Sequence, residues 1–390
     1  MHPRVPSRTV SVLLRLLASI ALLIVAFSSA SCGGDTEPAP AFDKDLQQQM
    51  QLAVEDAMAK DDIPGVIVSV HIPGRGEWTA AVGEADIASG RAITADDKVR
   101  IASNTKTFTA TLVLQLVDEG KLSLDDPLED FIPGVPYGNE ITVRHLLDMT
   151  AGIFSFSEDE AFLAEFTADP LMEMEPMDGV NIALTHPPDF APGEGWHYSD
   201  TNYEILGIIV EQVTGNAIEH EVQERIIEPL GLTHTSFPTT PDMPSGSSRG
   251  YVLSEGGELQ DYTLSSPSVP WAGGAMISNL GDLEIWVEAL ATGELLSDEM
   301  HAEQLTWVDI PGLENVDGKY GLGILSLHGF QGHNGAIFGY NSIMLYLPEA
   351  DATMVILANK GDNSSQETIP IFAALAGLLF PEQMSETSQQ

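Results

Sequence analysis

The sequence predicts a mixed α/β fold of the α+β kind, with one sheet built from both ends of the chain and a mostly helical lobe inserted between them. Three observations carry this. A helical period followed by a hairpin pattern stands near the N-terminus, the long middle carries helices and proline-rich connections, and short β-branched runs return only before a closing helix.

The elements follow in order. Residues 42–60 place Leu46, Met50, Val54 and Met58 at steps of four, a helical period that Pro64-Gly65 ends. Residues 66–72 are β-branched and apolar, Pro73-Gly74-Arg75-Gly76 turns the chain, and residues 78–82 answer as the second arm of a hairpin. Residues 104–119 form the next helix, apolar or small on nearly every face and therefore buried, with Gly120 where a left-handed cap belongs. Residues 122–198 read as loop-rich, and 201–213 as a second apolar helix stopped by Gly215. After Trp271 the expected elements are strands at 320–327, 342–347 and 353–358, then a helix at 369–380. The folded domain spans about residues 45–385 and the inserted lobe about 120–260, so a site is expected at the seam between them.

Of 390 residues, 43% are hydrophobic and 19% charged, enough apolar material for a large core. The charge is lopsided, with 58 acidic against 16 basic residues and a net of −42. Such a field repels nucleic acid and anionic membrane surfaces, which leaves a small molecule or peptide as the expected partner. The ten histidines show no paired metal-ligand spacing, and no glycine loop runs into Lys-Ser or Lys-Thr, so neither metal nor cofactor is expected.

The N-terminus reads as an export leader. Arg4 and Arg8 precede an apolar run over residues 16–27, short for a membrane span, and Ser28, Ser29 and Ala30 supply small residues for cleavage. Cys32, the only cysteine, follows in Ser-Ala-Ser-Cys-Gly-Gly, which resembles a bacterial lipoprotein signal with Ser29 where that motif usually has Leu. Residues 1–31 would then be the leader and 32–44 a tether, with lipidation at Cys32 or ordinary cleavage after Ala30 as the alternatives. Either implies a periplasmic or extracellular protein, touching a membrane only through such an anchor.

The chemistry is carried by three short motifs. In Ser103-Asn-Thr-Lys106, residues three apart share one helix face, so the lysine reaches the serine oxygen. Burial would lower the lysine pKa toward a neutral amine base. Tyr198-Ser199-Asp200 precedes the second apolar helix, and a tyrosine there could move protons if a nearby cation lowered its pKa. His333-Asn334-Gly335-Ala336 follows an expected strand at 325–329, in a stretch where glycine permits close approach of a ligand. Each alone is weak, since Ser103 also reads as a helix cap and His333 as a loop residue.

Together, their order resembles the class C β-lactamase and D-alanyl-D-alanine carboxypeptidase family of penicillin-recognising serine hydrolases. Arg144-His-Leu-Leu-Asp-Met-Thr-Ala-Gly-Ile, Phe190-Ala-Pro-Gly, Glu228-Pro-Leu-Gly-Leu and Ala272-Gly-Gly-Ala-Met-Ile-Ser are similar to its connecting segments, over about residues 45–380. The resemblance implies an antiparallel sheet flanked by helices, with Ser103 as nucleophile, Lys106 as its base, and Tyr198 and His333 as proton-transfer partners. It implies an oxyanion hole from the backbone N–H groups of Ser103 and Ala336, and substrate contacts from Asp200, Gly335, Ala336 and Trp271. His333 stands where β-lactamases of this class usually carry lysine, which favours a D-Ala-D-Ala carboxypeptidase, with an esterase, a β-lactamase or a non-catalytic exported binding protein as alternatives. Asp200 replaces the usual asparagine; a carboxylate there accepts but does not donate, and pairing with Lys106 would raise the lysine pKa. Arg249 and Lys319 are the few basic residues in the second half of the chain that could meet a substrate carboxylate.

Overall fold

Nine strands form one sheet in the computed structural model, which describes residues 41–385 apart from 255, 363 and 364. The leader, Cys32 and most of the tether lie outside the described residues. From one edge the strands run Arg91–Ala92, Gly76–Asp86, Gly65–Ile72, Ala352–Ala358, Tyr340–Leu347, Phe330–Ile337, Leu325–Leu327, Lys319–Tyr320 and Val308–Asp309. Every neighbouring pair is antiparallel. The seam between the two chain ends is the pairing of Gly65–Ile72 with Ala352–Ala358, from Val66 opposite Ala358 to His71 opposite Thr353.

This seam strand is buried on both faces, which is why it reads as a continuous apolar run rather than an alternation. Val66, Val68 and Val70 pack under the helices Lys44–Lys60 and Thr368–Leu379, with Met50, Val54, Phe372 and Leu375. Ile67 faces the opposite layer, which holds Phe108 and Leu112 of the helix Thr105–Asp118 and Trp286 of the helix Leu280–Thr292. Ser69, on that second face, hydrogen-bonds the Glu284 carboxylate. Phe108 and Trp286 stack at 4.1 Å, worth about 1 kcal/mol beyond their burial.

Between the two sets of strands the chain is mainly helical. Short helices Val143–Leu147, Glu160–Ala168 and Pro176–Ala183 occupy the stretch read as loops, too short to show a full helical period. The helix Asp200–Thr214 ends on Gly215 at φ 75°, as its sequence indicated. The region after Trp271 differs from expectation. Three helices, Trp271–Gly274, Leu280–Thr292 and Asp298–Gln304, precede the strands there. Asn279 caps the second by accepting from the Asp282 N–H at 3.1 Å.

Candidate active site

Ser103 sits in a 3₁₀ turn, Ala102–Asn104, immediately before the helix Thr105–Asp118. Ala102 holds φ at 49°, an uncommon conformation for a residue with a β-carbon, so the turn at Ser103 is strained. Side-chain bonds hold it in place. Asn104 Nδ2 donates to Ser342 Oγ at 2.7 Å and to the Ile101 carbonyl at 3.2 Å, and Ser342 Oγ donates to that same carbonyl at 2.8 Å.

One turn along, Lys106 is wholly buried. Its Nζ donates to three acceptors, Asp200 Oδ1 at 2.6 Å, the Gly273 carbonyl at 2.9 Å and Ser103 Oγ at 3.1 Å. Three acceptors match the three protons of an ammonium. Burial pushes the lysine pKa down, but the Asp200 carboxylate outweighs it, and the group ends above its ordinary value. The expected neutral amine is therefore corrected: at rest Lys106 is a cation. Burial likewise pushes Asp200 up, and Lys106 overrides this to hold the carboxyl below its usual range.

Asp200 opens the helix Asp200–Thr214, and both carboxylate oxygens and its N–H are bonded. Its Oδ2 accepts from Ser157 Oγ at 2.6 Å, and its N–H donates to Ser155 Oγ at 3.0 Å. The two serine hydroxyls lie 2.9 Å apart. Neither serine was predicted, because a serine in a loop gives no sequence signal for a partner more than forty residues away. Glu204, one helical turn after Asp200, is a further carboxyl that carries no sequence signal. It is buried, its Oε1 has no partner among the described residues, and burial raises its pKa well above the usual range.

The Tyr198 ring lies over the lysine, with Lys106 Nζ 4.9 Å from its centroid. Burial raises the Tyr198 pKa while Lys106 pulls it down, and the raised value keeps a neutral phenol. His333 lies within the strand Phe330–Ile337 instead of a loop after residue 329; residues 328 and 329 form only the hairpin turn, at φ 52° and 80°. Its Nε2 pairs with Tyr320 Oη at 2.9 Å and its Nδ1 faces the Asn334 carbonyl. Burial depresses its pKa to about 3, so the ring is neutral with both nitrogens engaged.

Beyond Gly332 the strand Phe330–Ile337 pairs only with Tyr340–Leu347, and the Ser103 turn approaches its other side. A β-carbon on Gly335 would stand 2.3 Å from the Ile101 carbonyl and 2.9 Å from the Ser103 nitrogen. Gly335 is therefore a spacer that lets the strand and the Ser103 turn meet, and it does not line the cleft. Ala336 lines the cleft. Trp271 does not; its ring packs where a β-carbon on Gly207 would meet it at 2.7 Å, fastening the helix Asp200–Thr214.

The cleft has a volume of about 1030 Å³ and is largely apolar. Phe156, Phe162, Phe166, Val269 and Ile337 line it beside Ser103, Ser157, Tyr198, Asp200 and His333. Among the described residues no lysine or arginine lines it. Arg249 pairs instead with Asp261 at 2.5 Å, and Lys319 with Asp317 at 2.7 Å. No cluster of three or more His, Cys, Asp or Glu side chains converges as metal ligands would among the described residues.

A cleft serine bonded to a buried lysine beside a tyrosine, at the edge of an antiparallel sheet with a helical insert, defines a serine hydrolase of the penicillin-binding protein and β-lactamase fold. The comparisons with known proteins agree. The Beta-lactamase family profile matches residues 50–378, and the chain belongs to that family. A D-stereospecific amidohydrolase from Streptomyces is 35% identical, with a TM-score of 0.77 over 84% of this chain and 98% of that one. The D-amino acid amidase of Ochrobactrum anthropi, solved with L-phenylalanine amide, is 25% identical, with a TM-score of 0.76 over 87% of this chain and 99% of that one. Protein flp of Staphylococcus aureus is 27% identical over 81% of this chain, which spans 63% of flp.

Proposed function

We propose that this protein hydrolyses amides or esters of D-amino acid type through an acyl-enzyme on Ser103, with a leaving group that carries no carboxylate. The observation that carries the reading is the Lys106 ammonium held between Ser103 and Asp200 under an apolar cleft that no lysine or arginine lines among the described residues. A terminal carboxylate entering that cleft would be desolvated with no partner and would face Asp200 and Glu158. An amide or ester leaving group meets no such penalty. The stereochemical assignment is supported by what the two amidohydrolase structures are named for.

Substrate closes the cleft to water, and in the drier site the neutral Lys106–Asp200 pair gains on the ion pair. One lysine proton passes along the 2.6 Å hydrogen bond to Asp200, and the freed amine takes the Ser103 proton. The Ser103 oxygen then bonds to the substrate carbonyl carbon, and the tetrahedral oxyanion meets the N–H groups of Ser103 and Ala336. The bond to the leaving group breaks as that group takes a proton through Tyr198. Water repeats the sequence in reverse, releasing the acid and restoring the Ser103 hydroxyl.

A carboxypeptidase acting on D-Ala-D-Ala peptides is the second reading, supported by motif order and sharing the same chemistry. A panel of D-phenylalanine amide, D-phenylalanine methyl ester and a D-Ala-D-Ala peptide separates the two. The first reading expects turnover of the amide and ester and little of the peptide; preference for the peptide reverses the order, and no turnover of any defeats both. Export by the leader and lipid attachment at Cys32 belong to this proposal too. Mass measurement of the mature N-terminus from a native-like host would give a lipidated Cys32, and an unmodified N-terminus there would remove the anchor.

A further inference from the structure

We infer that the cleft carries a second apolar arm, beneath the C-terminal helices, that binds an aliphatic chain of the substrate; this rests on the acyl-enzyme reading above. The arm follows from the open edge of the strand Phe330–Ile337, which beyond Gly332 lacks a strand on one side. A cleft that begins on the Ser103 face can therefore pass around that edge to the other face. Its lining does so. Leu325 and Ile337 belong to the core layer shared with the Ser103 helix, whereas Phe372 belongs to the layer on the opposite face. Asn334 and Gln366, bonded at 3.0 Å, mark the passage.

Beyond them the walls are Leu327, His328, Ile369, Phe372, Ala373 and Met384. His328 is the one titratable group among these six, and burial lowers its pKa, so it brings no charge. The helix Pro381–Ser385 contributes Met384, a flexible and polarisable side chain suited to irregular apolar ligands. The whole cleft, at about 1030 Å³, lies at the top of the range of roughly 300–1,000 Å³ for sites that hold drug-sized ligands. A D-amino acid amide occupies only the part beside Ser103 and Phe156, which leaves the arm for a chain extending from either side of the scissile bond.

The test uses two substrate series, p-nitrophenyl alkanoates from two to ten carbons and D-phenylalanine alkyl esters from methyl to octyl. In at least one series kcat/KM should climb with length, by up to roughly fourfold for each methylene buried. Ala373→Trp, at an exposed helix position that tolerates bulk, should bring the long-to-short ratio down toward one. Flat dependence in both series, or a ratio unaltered by Ala373→Trp, overturns the arm. Calorimetry of decanamide on the Ser103→Ala protein gives a readout independent of turnover. Binding that Ala373→Trp weakens by tenfold or more supports the arm even if nothing is hydrolysed, whereas no binding rejects it while leaving hydrolysis of short substrates intact.

Discussion

Lys106 Nζ stands 2.6 Å from Asp200 Oδ1, and the lysine is completely buried while the aspartate side chain remains 29% open to the cleft. This makes the base of the Ser–Lys pair a cation at rest, and it makes Asp200 the place where its extra proton can go. A proton that only moves within the pair leaves the pair's net charge unchanged. The rate should therefore be insensitive to pH wherever the pair holds its single shared complement of protons.

Asp200→Asn removes that internal acceptor. In the wild type the pH profile of kcat/KM should be flat from about pH 5 to 9, since Asp200 is held low and Lys106 high. The variant must lose a lysine proton to water instead, so it should acquire a limb that rises with pH. A gain of about tenfold or more between pH 6 and 9 is expected. Parallel profiles for the two proteins would dismiss the shared-proton role.

His333 predicts a stability effect. Its folded pKa of about 3 lies below the ordinary histidine value of 6.5, so the unfolded chain takes up a proton before the native state does. Stability is thus lost as pH falls from about 6.5 toward 3, by roughly 3–5 kcal/mol from this residue. Urea midpoints across that window should fall less steeply for His333→Gln. Equal slopes would mean that the native ring is protonated with everyone else's histidines, contrary to its burial.

Gly335→Ala should cost activity without unfolding the protein. The added methyl meets the Ile101 carbonyl and the Ser103 nitrogen, so the strand must move away from the nucleophile turn and take the Ala336 N–H with it. Loss of one oxyanion donor is worth roughly 10²–10³ in kcat. Steady-state kinetics beside an unchanged far-UV dichroism spectrum would bear this out, and near-normal kcat would show that Ala336 is not a donor.

Tyr198→Phe should separate substrates by leaving group. An amide nitrogen needs a proton as it departs, whereas p-nitrophenolate does not. The loss on an amide should reach roughly 10²–10⁴, with a much smaller loss on a p-nitrophenyl ester. Equal losses on both would assign the hydroxyl to a step before the leaving group departs, since phenylalanine keeps the ring over Lys106.

The framework of this site was legible where local rules hold. The helix carrying Lys106 and the helix after Tyr198 show apolar residues on several faces and end in glycine, and a strand pair at the seam shows as a β-branched run. Pairing of Asp200 with Lys106 was also within reach, because a buried cation demands an anion. What stayed hidden depends on long-range closure. His333 looked like a loop residue because the glycines around it permit close approach of the Ser103 turn, and these glycines also mask a strand. Ser155 and Ser157 meet Asp200 only once a loop folds back some forty residues, and Trp271 takes its place from Gly207 on another helix. The helix Leu280–Thr292 was missed although Asn279 caps it, since the region after Trp271 was read as strands up to the closing helix.

Acylation of Ser103 is the step on which the rest stands. Rapid acid quench of the protein with a p-nitrophenyl ester, followed by peptide mass mapping, locates the acyl group. The expected result is one adduct mass on the peptide containing Ser103, absent from the Ser103→Ala protein, with turnover lost in parallel. An adduct on another residue, or full turnover by Ser103→Ala, would contradict it.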